Sequence, residues 1–152
     1  MSMDVITSMS GLDYMRGVLN GSLPHAPILE HFGFRVTEAE EGRVSFEGTP
    51  EAHHLNPMQS IHGGWYGAIL DSALGCAVMS KLPKGTIYTT LEYKVNLIRA
   101  IRPGQAMRAS ATAGHVGRST GVATAELYGV EDGRLYATAS TTCLVMSLPE
   151  QG

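Results

Sequence analysis

The stretch HGGWYGAILDSALGCAVM, residues 62–79, is apolar or small almost throughout and holds one carboxylate, Asp71. LPKG ends it, and the whole run predicts one long helix. A helix that is apolar on nearly every side is either a membrane span or the centre of a fold. This one is too short and too rich in glycine for a span. The rest of the chain must therefore cover it.

The flanking segments supply the cover. LDYMRGVLNGSL (12–23) has apolar residues at helical spacing and predicts a short amphipathic helix, which PHAP then breaks. GFRVTEAEEGRVSFEGTP reads as two short strands with a Glu-Glu-Gly turn between them. HHLNPMQSIHGG is an irregular loop, since Asn-Pro opposes both helix and central strand. Four strand-like runs follow the long helix: TIYTTLEYKVNLIRA, QAMRASATAGHVG, STGVATAELYGVE and RLYATASTTCLVMS. Strict alternation in the first puts Ile87, Leu91, Val95 and Leu97 on one face, and Thr90, Glu92, Lys94 and Asn96 on the other. This order predicts an α+β domain with an antiparallel β-sheet wrapped around one central helix. A single domain is expected over 1–152, with its core at about 28–147 and an N-terminal helical extension over 1–27.

Composition narrows the partners. Hydrophobic residues make up 43% of the 152 and charged ones 16%, which fits a compact globular chain rather than a disordered one. A net charge of -3 argues against nucleic acid as the main ligand. Cys76 and Cys143 both lie in apolar runs without metal-type spacing, as expected of buried thiols in a reducing cytoplasm. The N-terminal residues have neither a basic start nor an unbroken apolar core, so no signal peptide and no membrane association are expected.

Asp71 is the anomaly. Mid-helix aspartates usually sit on a solvated face. Here the neighbours on its own face are Gly67, Ala68, Gly75 and Val78, where a solvated face would carry Lys, Glu or Gln. Each mid-helix glycine costs about 1 kcal/mol against alanine, so Gly67 and Gly75 imply that something approaches the helix closely. A carboxylate buried there is costly unless it is paired, which makes it a functional candidate with a raised pKa.

The helix start supplies a second half. Its first N–H groups lack intrahelical partners and carry partial positive charge. At Gly63 and Gly64 no side chain blocks a ligand oxygen, an arrangement suited to a carbonyl that becomes tetrahedral. Asn56 and His62 could add side-chain hydrogen bonds. Gly63 and Asp71 are nevertheless eight residues apart, about 12 Å along a helix. One carbonyl cannot touch both within a single chain, so a twofold dimer with shared sites is expected.

The pattern Asn56, His62-Gly63-Gly64, Asp71, followed by Thr90, Glu92, Val95 and Asn96 and by Arg-Pro-Gly at 102–104, resembles the hotdog-fold acyl-CoA thioesterases of the phenylacetate-pathway (PaaI-type) branch. The resemblance runs over roughly 28–147. It implies that Gly63 N–H and Asn56 polarise a thioester carbonyl, while Asp71 of a partner subunit acts as general base or nucleophile. It also implies that Thr90 orients water, although the alternation above leaves Thr89 as the alternative. His62 matches the family histidine and braces the loop. Protomers are implied to join their sheets as homodimers, with further pairing into homotetramers in many members. Neither metal nor cofactor is implied, since CoA belongs to the substrate.

Trp65, Met58, Leu70 and Met79 are candidates for the acyl pocket, with plain core as the competing assignment for each, and Gly64 and Thr89 are further candidate substrate contacts. Arg99, Arg102 and the loop Gly117-Arg118-Ser119 are candidates for CoA's phosphates. Two other activities stay open: hydration of enoyl or hydroxyacyl thioesters, and non-catalytic acyl-CoA binding or sensing.

Overall fold

A computed structural model describes residues 3–148. Helices α1 (Met3–Thr7), α2 (Gly11–Leu19) and α3 (Pro27–Phe32) come first, followed by strands β1 (Phe34–Glu40) and β2 (Arg43–Gly48). A 3-10 turn at Ala52–His54 leads to the long helix α4 (Gly63–Met79). Strands β3 (Thr86–Leu97), β4 (Met107–Val116), β5 (Thr120–Gly129) and β6 (Leu135–Ser147) complete the chain. All six strands form one antiparallel sheet in the order β1-β2-β4-β5-β6-β3. Helix, hairpin, long helix and four strands thus occur as the sequence predicts. Two short helices were not anticipated. PHAP keeps α2 from continuing, as expected, and its second proline, Pro27, opens α3, where its missing N–H costs nothing.

Helix α4 lies against β2, β3, β4, β5 and β6. Ile69, Leu70, Ala73, Leu74, Ala77 and Val78 are fully buried there. The inner face of the sheet can hold a helix this closely because it is rich in alanine: Ala109, Ala111, Ala123, Ala125, Ala137 and Ala139 are all buried. Helix α2 closes part of the other side. Ser10 caps it by accepting from Asp13 N–H at 3.2 Å, and Met15 enters the core. Among the described residues no helix is long and apolar enough to cross a membrane.

The seam between α4 and β3 departs from simple alternation. The β3–β6 register pairs Thr90 with Cys143 but Glu92 with Thr142, leaving Leu91 as an extra residue in a β-bulge. The free Glu92 carbonyl accepts a hydrogen bond from the Thr141 hydroxyl at 2.7 Å. The bulge shifts the phase of the strand. Tyr88 and Thr90 before it, and Tyr93, Val95 and Leu97 after it, pair with the buried β6 residues Val145, Cys143, Thr141, Ala139 and Ala137. All five therefore face α4. The uniform alternation expected from sequence is corrected on this point: Thr90 points inward, while Ile87 and Leu91 lie on the outer side.

Glycines of α4 receive these side chains. A Cβ on Gly63 would touch Leu97 at 3.4 Å, and one on Gly67 would meet the Tyr93 hydroxyl at 3.1 Å. On Gly75 it would collide with the Tyr88 ring and hydroxyl. The close approach expected at Gly67 and Gly75 is thus made by two tyrosines of β3. At the sheet edge, β3 leaves Leu91, Tyr93 and Leu97 between 46% and 59% exposed, and Ile98 just beyond is 48% exposed.

Gly75→Ala tests the seam. Helix propensity alone would favour alanine by about 1 kcal/mol. We expect instead a loss of stability in chemical denaturation, because the Tyr88 ring and hydroxyl would have to be displaced from α4. In a Tyr88→Val background the same change should be neutral or stabilising. A stabilising Gly75→Ala in the wild-type background would contradict the packing described.

Candidate active site

Asp71 sits in mid-α4, half-buried, and its Oδ1 accepts a hydrogen bond from the Thr90 hydroxyl at 3.2 Å. Burial raises its pKa above the ordinary carboxylate value, and the Thr90 hydrogen bond pulls it partly back. Thr89, one residue earlier, is exposed on the other side of the strand. The bulge at Leu91 is what allows Thr90 to reach the carboxylate while Val95 and Leu97 still face the helix.

Cys76 and Tyr88 lie on the C-terminal side of Asp71. Burial, and then the charge of Asp71, push the Cys76 thiol up to about 12. It stays protonated at neutral pH and is no thiolate nucleophile. The Tyr88 phenol is also pushed well up, chiefly by burial. Both cysteines are free, and no cluster of metal-ligating side chains occurs among the described residues.

The helix start forms a separate half. His62 is the N-cap of α4, and its Nδ1 accepts from Gly64 N–H at 2.8 Å. That bond occupies the Gly64 amide. Gly63, at the first helical position, has no residue four earlier in the helix to accept from its own amide. Gly63 borders a cleft of about 290 Å³ together with Asn56, Ser60, Ile61, Tyr66 and the segment 97–100. Asn56 accepts from Met58 and Ser60 N–H through Oδ1 and donates to Ser60 Oγ through Nδ2. It fixes the 56–60 turn and retains one amide hydrogen. Tyr66, one of the bulky pair that follows His62-Gly63-Gly64, lines this cleft. Its hydroxyl donates to the Arg99 carbonyl at 2.9 Å and accepts from Ile101 N–H at 2.8 Å.

The remaining candidates divide by burial. Trp65 is 1% exposed and donates to the Phe32 carbonyl, while Leu70 and Met79 are core residues. Met58 stands 81% exposed on the loop before α4. Arg99 and Arg102 are exposed beside the cleft. Gly117, Arg118 and Ser119 turn from β4 to β5 at the other end of the sheet, where Ser119 accepts from Val145 N–H. Within one protomer, Asp71 and Gly63 remain eight residues apart on the same helix, about 12 Å.

The pKa of Asp71 has a consequence for stability. A carboxyl whose pKa is raised by folding loses stability as pH climbs from its unfolded value through its folded value. Asp71→Asn lacks this penalty. The variant should match wild type at acid pH and become the more stable of the two as pH rises toward neutrality, in denaturation curves taken across that window. Parallel pH profiles for the two proteins would contradict the shift.

Comparison with known proteins identifies the fold and the family. The model of the Thioesterase superfamily matches residues 58–136, just over half of the chain. No curated protein matches it in sequence. Among solved structures, a phenylacetic acid degradation-related protein of Ralstonia eutropha is 27% identical, with a TM-score of 0.78 over 86% of this chain and 98% of its own. A thioesterase family protein of Silicibacter pomeroyi is 26% identical, with a TM-score of 0.75 over 88% and 98%. The PaaI protein of the E. coli phenylacetic acid degradation operon, 20% identical, shares the fold with a TM-score of 0.79 over 92% and 100%. The long helix laid across a six-stranded antiparallel sheet is the hotdog fold of these proteins, and the chain belongs to the thioesterase superfamily, a family of thioester hydrolases.

Proposed function

We propose that the protein is an acyl-CoA thioesterase, converting an acyl-CoA and water to the free acid and CoA. The observation that carries this reading is the half-buried Asp71 carboxylate held by Thr90 on an otherwise apolar helix. A structural helix has no use for a desolvated carboxylate, whereas a general base with a raised pKa suits proton abstraction near neutrality.

In the proposed mechanism the thioester carbonyl lies over the α4 N-terminus, its oxygen accepting from Gly63 N–H and from the remaining Asn56 amide hydrogen. Asp71 of the partner subunit takes a proton from water, and the hydroxide oxygen bonds to the carbonyl carbon. The resulting oxyanion is stabilised by the same donors, which bind it more strongly than the neutral carbonyl. Collapse breaks the C–S bond, and the proton held by Asp71 passes to the leaving sulfur. In the alternative role for Asp71, its carboxylate attacks directly and water then hydrolyses the anhydride. Thr90 orients the reacting group by donating to Oδ1. His62 acts through the helix start, by capping it.

The shared site is supported by the exposed apolar residues along β3. A long, unpaired and partly apolar edge strand is a liability unless another strand covers it. Pairing β3 with β3 of a second copy would cover it and bring each helix start toward the other copy's Asp71. Further association into a tetramer belongs to the same reading.

Thiol release from acyl-CoAs of short, long and aromatic acyl groups tests the activity. Asp71→Asn should lower kcat by roughly 10²-fold or more, with KM little changed. A variant retaining more than half of the normal kcat would remove Asp71 from the mechanism. Thr90→Val deletes the bond that favours the ionised carboxylate, so the acid limb of kcat/KM should move to higher pH. A limb that stays in place or moves down would contradict the role given to Thr90.

A further inference from the structure

A larger cleft, of about 740 Å³, adjoins the one at the α4 N-terminus and shares Ile98, Arg99 and Ala100 with it. Three arginines border it: Arg99 and Arg102 after β3, and Arg134 from the loop between β5 and β6. Among the described residues none of the three makes an ion pair, whereas Arg43 and Arg108 are both paired with glutamates.

These arginines are not loose surface groups, because the two loops that carry them converge on one buried residue, Tyr136. Its carbonyl accepts from both Ile98 N–H and Arg99 N–H, at 2.9 and 3.1 Å. Its hydroxyl accepts from Gln105 Nε2 at 2.6 Å and donates to Asp132 Oδ2 at 2.8 Å. Gln105 in turn accepts from Arg102 N–H at 3.2 Å, and Asp132 accepts from Arg134 N–H at 3.0 Å. Tyr136 itself is only 7% exposed. Two carboxylates, Glu131 and Asp132, also border the cleft. The Asp132 carboxylate is committed to the Arg134 amide and the Tyr136 hydroxyl, so it serves the framework rather than cancelling the arginines.

We infer that Arg134, with Arg102 and Arg99, forms the binding site for the phosphorylated nucleotide end of a CoA thioester, and that Tyr136 is the residue positioning all three. The inference rests on the acyl-CoA reading and extends it to the substrate's anionic end. Guanidinium groups from two loops, Arg99 and Arg102 from one and Arg134 from the other, suit a polyanion with phosphates at separate positions, since each can make charge-assisted hydrogen bonds to a different phosphate. Continuity with the Gly63 cleft lets one extended molecule occupy both, its thioester at the helix start and its phosphates among the arginines.

Calorimetry with adenosine 3′,5′-bisphosphate and with free CoA tests the site without requiring turnover. Arg134→Ala should weaken both by on the order of 10-fold, the scale of a lost charge-assisted bond. Tyr136→Phe keeps the ring in the core but breaks the links to Gln105 and Asp132, so it should weaken both as well. In turnover, each variant should raise KM for an acyl-CoA with kcat unchanged, and leave hydrolysis of the matching acyl-pantetheine thioester, which lacks the nucleotide, as in wild type. Unaltered bisphosphate binding in folded Arg134→Ala, or equal losses on the CoA and pantetheine thioesters, would overturn the assignment. Arginine-dependent binding of the bisphosphate by a wild-type protein that hydrolyses neither thioester would uphold the site and refute the thioesterase reading.

Discussion

The seam between α4 and β3 carries the rest of the structure. Along one stripe of the helix run Gly63, Gly67, Asp71 and Gly75, each four residues from the next. Against them stand Leu97, Tyr93, Thr90 and Tyr88. Three members of the stripe lack a side chain, so the strand can lie close. The fourth is the one charge on the helix, and closeness brings a hydroxyl to it. A larger residue at the glycines would push β3 away and separate Thr90 from Asp71. Packing and chemistry therefore depend on the same contact, and the bulge at Leu91 keeps it in register over the whole length of the strand.

From this seam the functional reading follows in two steps. The carboxylate is held where water is scarce and its pKa is raised, which favours proton transfer over mere solubility. The same helix presents a free N–H at its other end, where His62 has already taken the neighbouring amide. A rigid helix fixes the separation of these two groups, so no motion of one protomer can close it. On the proposed thioesterase reading, assembly is then part of the chemistry, and the apolar edge of β3 and the incomplete site would be met by the same second copy.

Much of this was legible in the sequence because it rests on local signals. An apolar helix with one carboxylate, turn residues between strands, and glycines in a helix each have a direct physical meaning. What escaped depends on phase or on long-range convergence. One extra residue, Leu91, reverses the alternation of half a strand, so Thr90 was assigned to the wrong face from a pattern that looked regular. Trp65 and Leu70 could not be told from pocket-lining residues, because a helix apolar all round does not declare which side meets the core. Arg134 and Tyr136 carry no motif. Their meaning arises only when two loops meet at one tyrosine.

Subunit mixing tests the central claim most directly. Gly63→Pro removes the proposed donor N–H at a helical position where proline is tolerated, and His62 before it already has the extended backbone that proline requires. Asp71→Asn removes the base. Each variant alone should be inactive, and neither damages the half-site the other lacks. After subunit exchange at equal amounts, half of the dimers are hybrids with one complete site of two, so activity should return to about a quarter of wild type. No recovery, with hybrid dimers demonstrated by mass spectrometry, would mean that Gly63 and Asp71 do not meet across subunits, and the shared-site account would fall.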